Sequence, residues 1–339
     1  MQEQPSFKGP LFIVGNSRSG TTLLMRAFNC HPDVHAVNEP HFWERLYLPE
    51  EESVVLSGED RMHLMNRLIC SQRQSFQREE NIEQYQGESE RALKHAGLEV
   101  RNKLDVYEAF LYHEVAQTGK RIPCEKTPRN VFYISEILER FSDAHVLVMV
   151  RDPRSVLLSQ KNKWKRRKLG SVGFPIKEQI RLRLNYHPVV MSKLWTAGIE
   201  AGLKHADGRV HQVKFEDFVN RPKEVLQPLC RAIGIPYSDS MLNVPQAGSS
   251  VERDAEGKTG FRSKDSDIWR TQLNGTEIAI SDKMTATARK QIGYPDAEVR
   301  GNQLTIGLYY LWLPFKMSLA LFLNLGRYRN LFKTIKSRL

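Results

Sequence analysis

The sequence has few cysteines, and its first residues do not have the pattern of a signal peptide. Its four cysteines lie far apart, and no CxxC pair indicates zinc: Cys30, Cys70, Cys124 and Cys230. Reduced thiols in a reducing compartment are the simplest interpretation. The N-terminal segment MQEQPSFKGPLFIVG lacks the basic region and long apolar run of a signal peptide. We therefore expect a cytoplasmic protein that does not follow the common secretion route.

Acidic residues are scarce relative to basic ones. The 339 residues include 50 Lys and Arg against 39 Asp and Glu, a formal net charge of +11. From residue 303 onward there are six basic residues and no acidic one, and KNKWKRRK at 161–168 holds six more. This balance predicts an acidic partner: a nucleotide, an anionic glycan, a nucleic acid or a lipid headgroup. No segment matches a nucleic-acid module, so no specific nucleic acid is expected. Trp164 in KNKWKRRK would pack against a sugar ring or belong to a solvated helix end.

The lysine of a triphosphate-binding loop is also missing. GNSRSGTT at residues 15–22 follows the apolar run LFIV and leads into an apolar pattern of helical spacing. Its glycines have the separation of such a loop, but Thr21-Thr22 stands where Lys and Ser or Thr would hold a triphosphate and Mg²⁺. The cation is Arg18 instead. The segment therefore predicts a strand, an anion-binding loop and a helix, for an anion with less terminal charge than ATP and no metal.

Farther along the chain, strand patterns alternate with helical ones. Strands are predicted at 11–14, 122–125, 145–150 and 210–215, and helices from near Arg154, at 175–202 and at 222–233. This order predicts an α/β fold, a P-loop-type parallel sheet covered by helices. Residues 41–119 are mostly polar with helical patterns, so we predict a helical insertion that binds the acceptor. Residues 248–267 are rich in Gly, Ser and charge and are predicted to form a loop.

Three segments together resemble sulfotransferases that use 3′-phosphoadenosine-5′-phosphosulfate (PAPS) as donor. SRSGTTLL resembles their 5′-phosphosulfate loop, RDPRSVLLSQ their 3′-phosphate segment, and EKTPRN a third family segment. KFEDFVNRPKEVLQPLCRAIGIP is similar to a later structural block. The resemblance implies a sulfotransferase domain at about 8–300, with the bisphosphate PAP as product and no metal.

The same resemblance implies roles for individual residues. Those that would bind the donor are Arg18, Ser19, Gly20, Thr21 and Thr22 for the phosphosulfate, and Arg151 and Ser159 for the 3′-phosphate. Lys126 and Arg18 would neutralise the sulfuryl group during transfer. Taken singly, Arg151 is as well explained by a strand-end salt bridge, Lys126 by an ordinary surface position and Ser159 by an ordinary helix position.

The general base is expected in HPDVHAVNEP. This segment is similar to one in tyrosylprotein sulfotransferases, in which a glutamate serves as base, and Glu39 falls at the matching position. Many relatives use a histidine, so His41 and His35 remain alternatives, and a salt bridge or helix cap is the structural explanation of Glu39. His31 is expected to cap a helix end.

The C-terminal segment is apolar and then basic. Residues 304–325 are nearly all apolar, interrupted by Pro314 and Lys316, with aromatic residues at 309–312 and basic ones at 327–338. This pattern predicts that residues 303–339 form an interfacial anchor at the inner face of a membrane. The alternative is a helix pair packed on the protein's own core or on a second subunit.

The hypothesis is therefore a PAPS-dependent sulfotransferase whose acceptor is a hydroxyl of a carbohydrate or glycolipid. A protein tyrosine is the second choice. A metal-dependent kinase or NTPase is one alternative, because Asp152 resembles the acidic strand end of such enzymes. The loop of this sequence, however, lacks the lysine that they use. A nucleotide-binding module without catalysis is the other alternative. The sequence leaves the acceptor's identity and the oligomeric state open.

Overall fold

A five-stranded parallel sheet carries the loop and the residues around it. Its strands are β1 (Leu11–Gly15), β2 (Val34–Asn38), β3 (Ile122–Lys126), β4 (His145–Val150) and β5 (Val210–Lys214), in the spatial order β2-β3-β1-β4-β5. The computed structural model describes residues 9–74, 81–165, 176–205, 207–246, 258–262 and 267–324. The sheet and its helices confirm the predicted α/β class.

Fourteen helices surround or follow these strands in the described residues. They are α1 (Thr21–Asn29), α2 (Phe42–Arg45), α3 (Gly58–Gln74), α4 (Gln86–Lys94), α5 (Lys103–Ala116), α6 (Ile134–Arg140), α7 (Pro153–Lys161), α8 (Ile176–Asn185), α9 (Pro188–Leu203), α10 (Phe215–Asn220), α11 (Pro222–Ile233), α12 (Trp269–Gln272), α13 (Gly275–Gln291) and α14 (Gln303–Asn324). Short 3₁₀ turns lie at Pro49–Glu51, Ile82–Tyr85, Pro128–Tyr133 and Asp239–Leu242.

The described chain divides into two compact units. The first contains the residues up to 149 together with 202–244, and the second contains 150–201 and the residues from 245 onward. The strands lie in the first unit, apart from the last residue of β4. The domain limits expected from the sequence, 8–300 and 303–339 with an insertion at 41–119, stay predictions.

The central strand explains why this sheet forms. The four apolar residues at the start of β1 are completely buried, and β1 pairs in parallel with β3 on one side and β4 on the other. A continuous apolar run is what a strand covered on both faces requires. Lys126 lies opposite Ile13 of β1 and Asn38 of β2. The segments that follow β1, β2 and β3 therefore emerge at one edge of the sheet.

An aromatic cluster anchors the segment that follows β2. Phe42 and Trp43 open α2 and are completely buried. The ring of Phe42 stacks on Tyr107 of α5 with centroids 4.1 Å apart, and Trp43 meets the same ring edge-on at 5.9 Å. Stacked and edge-on pairs of this kind stabilise beyond the area they bury, so the residues just before α2 have a rigid support.

Two predicted boundaries were wrong. The single helix expected at 175–202 is two helices, α8 and α9, because proline at 188 cannot continue a helix and restricts the residue before it. The strand expected at 210–215 ends at Lys214, since Phe215 begins α10. Most of the predicted loop at 248–267 lies outside the described residues, as do residues 166–168 and the basic stretch 327–338.

Candidate functional site

The loop between β1 and α1 presents an open helix terminus. Gly20 is the N-cap of α1 and, as a glycine, has no side chain that could cap this end. The first turn of α1 contains no acidic residue. Ser19 is fully buried, and its Oγ has no hydrogen-bond partner among the residues that the structure describes. Free N–H groups with the positive end of the helix dipole bind anions, and the buried hydroxyl adds a donor.

Both loop glycines are required by their surroundings. Gly15 has φ 137°, and a Cβ there would lie 2.4 Å from the carbonyl oxygen of Met149. Gly20 has φ 101°, and a Cβ there would lie 2.2 Å from the ring of Phe215. Positive φ and close approach favour glycine for the same reason, the absence of a side chain. The glycine spacing recognised in the sequence thus reflects the close packing of this loop.

Arg18 occupies the arch of the loop in a left-handed conformation, with φ 78°. Such a conformation is uncommon for a residue with a side chain and occurs preferentially at functional positions. Thr21, the first residue of α1, is buried, whereas Thr22 is exposed. The predicted donor-binding residues 18–22 therefore form one continuous turn at the carboxyl end of β1.

Lys126 and Glu39 meet at the same edge of the sheet. Lys126 ends β3, is only 4% exposed, and its Nζ donates to Oε1 of Glu39, which follows β2. The side chain of Glu39 is 36% exposed. The structure thus brings together the predicted cation and the predicted base, and it also bears out the alternative expectation of a salt bridge for Glu39.

His41 stands beside this pair. It is 8% exposed and has φ 51°, a second left-handed residue with a side chain. Its Nε2 lies 3.4 Å from Oε2 of Glu39, and its Nδ1 lies 3.4 Å from Oε2 of Glu44. Arg129 in turn donates from Nη1 to Oε1 of Glu44 at 2.8 Å. Sequence reasoning missed Glu44 and Arg129, although EKTPRN contains the arginine.

Contacts with charged neighbours shift the pKa values of Glu39 and His41 in opposite directions. Burial alone would raise the pKa of Glu39, but the contacts with His41 and Lys126 outweigh it and lower the pKa to about 2. Burial alone would lower the pKa of His41, but Glu39 and Glu44 outweigh it and raise that pKa above its ordinary value. Glu39 is therefore a carboxylate at neutral pH, available to accept a proton only weakly while both contacts persist.

A second carboxyl group lies behind Lys126. Glu125 on β3 is completely buried, and it accepts hydrogen bonds from Thr127 Oγ1 and, at 2.7 Å, from Asn130 Nδ2. Burial raises the pKa of this carboxyl group to about 7. Sequence reasoning assigned it no role, because alternation on a strand does not reveal that both faces are covered.

The remaining histidines near Glu39 have other surroundings. His31 is fully buried, with Nε2 2.7 Å from the carbonyl oxygen of Pro236 and Nδ1 accepting from Asp33 N at 3.1 Å. Its side chain therefore fixes the turn after α1, whereas the C-cap of α1 is Cys30, so the expected capping role of His31 stays a prediction. His35 is half-buried within β2, and burial lowers its pKa.

Arg151 and Ser159 belong to the second unit, whereas the loop, Glu39 and Lys126 belong to the first. Arg151 follows β4 directly, and its carbonyl oxygen accepts from Trp195 Nε1 at 3.0 Å. Ser159 is buried on α7. Each lies at the element expected for it, a strand end and the helix that follows.

Asp152 serves the start of α7. Its Oδ1 accepts from the backbone N–H of Arg154 at 2.8 Å, and the Arg154 guanidinium pairs with both carboxylate oxygens at 2.9 and 2.6 Å. Arg154 is only 1% exposed and lies over the ring of Trp269 at 4.2 Å. A capping role of this kind accounts for Asp152 without the metal-binding function that a kinase would require.

The sequence comparisons identify one family. The sequence profile described as "Sulfotransferase family" matches residues 10–239. The chain is 24% identical over 239 residues to the protein-tyrosine sulfotransferase of Drosophila melanogaster, a match covering 69% of this chain and 39% of that protein. It is 24% identical over 303 residues to nodulation protein NoeE of Sinorhizobium fredii, covering 84% of this chain and 65% of that protein. The chain thus spans less than two thirds of both relatives.

A solved structure shows the same fold. The sulfotransferase domain from the Synechococcus PCC 7002 olefin synthase superimposes with a TM-score of 0.51 at 18% sequence identity, covering 87% of this chain and 99% of that domain.

Proposed function

The chain belongs to the sulfotransferase family, and on this premise we propose that it transfers a sulfuryl group from PAPS to an acceptor hydroxyl by in-line displacement. The observation that carries the proposal is that the open terminus of α1, Lys126 and Glu39 lie at the carboxyl ends of neighbouring strands. An anion-binding turn, a cation and a base are the parts that such a transfer needs.

The loop fits the phosphosulfate end of the donor. The N–H groups at the start of α1, the buried Ser19 hydroxyl and Arg18 supply donors and positive charge for one phosphate and one sulfuryl group. Thr21 stands where a triphosphate loop has lysine, so we propose a reaction without a metal ion. For Arg151 and Ser159, binding of the 3′-phosphate rests on the family resemblance.

Each residue then has a part in the transfer. As the acceptor oxygen attacks sulfur, Glu39 takes its proton. The bond between sulfur and the bridging oxygen breaks, and its electron pair stays on the departing nucleotide phosphate. Arg18, Lys126 and the loop N–H groups stabilise the charge that develops on that phosphate and on the sulfuryl oxygens.

We propose a carbohydrate or glycolipid hydroxyl as acceptor. Trp164 supports it. The Arg183 guanidinium lies over its ring at 5.4 Å from the centroid and Lys165 Nζ at 5.8 Å, and this grouping of an aromatic ring with cations suits a sugar that bears anionic groups. The alternative acceptor is a protein tyrosine, which the names of several relatives support.

The donor is tested first. Thermal unfolding of the full chain is compared with PAP, with PAPS and with Mg-ATP. Stabilisation by the first two but not by Mg-ATP supports the proposal, whereas selective stabilisation by Mg-ATP favours a kinase or NTPase. Transfer of labelled sulfate from PAPS into lipid, polysaccharide and protein fractions of cells then identifies the acceptor class.

We also propose that α14 lies on the inner surface of a membrane. In the described part of the chain it is the one helix long and apolar enough to cross a bilayer, with mean hydropathy 1.5 and none of residues Gln303–Leu323 buried. One stripe is strongly exposed: Leu304, Leu308, Leu311, Phe315 and Phe322. The aromatic residues and the basic sequence that follows suit the interface between lipid and water.

The opposite face of α14 supports an orientation along the surface and not across it. Lys316 Nζ donates to the carbonyl oxygen of Tyr186, and the Tyr309 carbonyl oxygen lies 3.1 Å from His187 Nε2. The helix thus packs on its own unit with one face and exposes apolar residues with the other. A spanning orientation would break these contacts and place Lys316 in the bilayer, which is costly.

Vesicle sedimentation tests the anchor. A variant with Leu311→Asp and Phe315→Asp, both on the exposed face, should remain in the supernatant with phosphatidylglycerol vesicles that sediment the native chain. Val55→Asp, at an exposed apolar position in the first unit, is the matched control. If the double variant sediments with vesicles, or the native chain does not, the anchor is wrong. A change of oligomeric state in the variant without lipid would favour a subunit interface instead.

A further inference from the structure

Five side chains of alternating charge form one chain of contacts in the first unit. The order is Lys126, Glu39, His41, Glu44 and Arg129. All five come from two short segments, residues 39–44 after β2 and residues 126–129 at the end of β3. Because β2 and β3 pair directly, the sheet itself places the two segments side by side.

The two carboxylate oxygens of Glu39 have different partners in this chain. Oε1 accepts from the ammonium group of Lys126, whereas Oε2 faces His41 Nε2 at 3.4 Å. The proposed reaction requires one of these oxygens to accept a proton from the acceptor. It also requires Lys126 to stabilise the sulfuryl group, so its contact with Glu39 must change during the reaction.

The histidine side of Glu39 is held firmly. His41 is buried, its neighbours Phe42 and Trp43 are completely buried, and its second nitrogen faces Glu44. Arg129 holds Glu44 from the far side. Glu125 on β3 lies within electrostatic reach of His41, but the two carboxylates Glu39 and Glu44 are the groups that favour a charged imidazole.

The contact between Lys126 and Glu39 is easier to exchange than the contact between His41 and Glu39. An ammonium group is a compact charge on a flexible stem and can turn from one anion to another, unlike a guanidinium that forms paired, directed hydrogen bonds. Lys126 lies at the last position of β3, next to β1, whose carboxyl end leads into the anion-binding loop.

Resting on the proposed function, we propose that His41 is the positioning residue of the base: it holds one oxygen of Glu39 throughout the reaction, while the sulfuryl group of the donor takes Lys126 away from the other. Glu39 Oε1 is then free to accept the acceptor's proton as the oxygen–sulfur bond forms. Without donor, Lys126 occupies that oxygen, so the base becomes available only when a sulfuryl group is present.

The exchange is tested by comparing the affinities for PAPS and PAP by calorimetry. The two nucleotides carry about the same total charge, but only PAPS has a sulfuryl group to attract Lys126. In Glu39→Gln, Lys126 no longer has to leave a carboxylate, so the PAPS-to-PAP affinity ratio should rise about five- to tenfold. Glu44→Gln also removes one negative charge from these five side chains, but Glu44 does not contact Lys126. The PAPS-to-PAP affinity ratio of this variant should therefore stay near that of the native protein.

The positioning role is tested by NMR of the chain labelled at histidine, with the His41 signals assigned through His41→Gln. The pKa of the His41 ring, followed by titration, should stay above its ordinary value both without nucleotide and with saturating PAPS. It should fall in Glu44→Gln, which removes one of the two carboxylates in contact with the ring. Any histidine beside Glu44 would respond to Glu44→Gln, so this variant only checks the contact. The comparison of the His41 signals with and without PAPS tests the positioning role.

The outcomes separate the two proposals. If the native chain binds neither PAPS nor PAP, the proposed function fails. If it binds both but Glu39→Gln leaves the affinity ratio unchanged, the exchange of Lys126 is wrong. If PAPS lowers the pKa of His41 to or below its ordinary value, the contact between His41 and Glu39 is lost when the donor binds and the positioning role is wrong. Thermal unfolding of each variant confirms that it is folded.

Discussion

Two clusters in the first unit contain the same types of group. Around Glu39 they are two carboxylates, a histidine, a lysine and an arginine. Among α3, α4 and α5, Arg73 donates to Glu114 at 2.7 and 2.8 Å and to Glu88 at 2.5 Å, and Glu88 lies 3.2 Å from His113 Nε2. Composition alone would suggest similar roles for both.

The two clusters differ in the cation that holds the carboxylate, Arg73 in one and Lys126 in the other. Arg73 holds Glu114 with two parallel hydrogen bonds, a geometry that is strong and specific. The ligand atoms of Glu88, His113 and Glu114 all lie within 4.8 Å of one another, but the guanidinium already supplies the positive charge that a metal would bring. Lys126 makes a contact that can be exchanged. The arginine cluster therefore ties helices together, whereas the lysine cluster is suited to a change of partner.

The largest effect is expected for Glu39→Gln. Loss of the base should lower sulfuryl transfer by about 100- to 10,000-fold, with PAP binding retained. The measurement is transfer of labelled sulfate from PAPS at saturating donor, and the control is Glu88→Gln in the arginine cluster, which should transfer normally. Near-normal transfer by Glu39→Gln would reassign the base to His41 or another residue.

The next effect is expected for Lys126→Arg, which makes the site cluster resemble the other one. A guanidinium keeps the charge but holds Glu39 more rigidly, so transfer should fall about 100-fold while the chain stays folded. Single-turnover kinetics with PAPS measure the loss. Full activity would show that the distinction between the two cations is unimportant.

Arg73→Met should affect stability and leave the chemistry alone. The substitution leaves the buried Glu114, 3% exposed, without its guanidinium partner and should lower the free energy of unfolding by about 2–3 kcal/mol. The expected loss is smaller than for a fully buried pair because Arg73 is itself about a third exposed. Urea unfolding measures this change, and Arg73→Lys should lose less. A loss of PAP affinity with unchanged stability would contradict the separation of roles.

The smallest effect is a pH dependence of opposite sign for two carboxyl groups, Glu125 behind Lys126 and Glu88 in contact with Arg73. Burial raises the pKa of Glu125 to about 7, so the folded protein keeps a proton that the unfolded chain loses near pH 4.5. Its contribution to stability is lost as pH rises through 7. Burial opposes ionisation of Glu88, but Arg73 and His113 outweigh it and lower its pKa. The contribution of Glu88 to folding stability is therefore present above pH 4.5 and is lost as pH falls through its lowered pKa.

Glu125→Gln imitates the protonated acid and should therefore gain melting temperature relative to the native chain, by a few degrees, between pH 5 and pH 7.5. Glu88→Gln should show its largest deficit near neutral pH and a smaller one in acid. Thermal unfolding across this range checks both signs. Parallel curves for Glu125→Gln and the native chain would show that Glu125 is ionised throughout.

Local pattern was sufficient for the elements around the loop. An unbroken apolar run, glycines at the required separation and a helical apolar period occur within about twenty residues, so β1, the turn and α1 could be predicted together. Motif resemblance added Lys126 and Glu39. It did not reveal that they contact each other, because no feature of either segment specifies that β2 and β3 are neighbours.

Contacts over long sequence distances required the folded chain. Glu44 and Arg129 are 85 positions apart and appear unremarkable in sequence, yet parallel pairing of β2 with β3 brings them together. The same pairing buries Glu125 and gives Lys126 its partner. Sequence specifies residue types and local periods, whereas charge pairing and burial depend on which strands become neighbours, and that is decided by packing of the whole sheet.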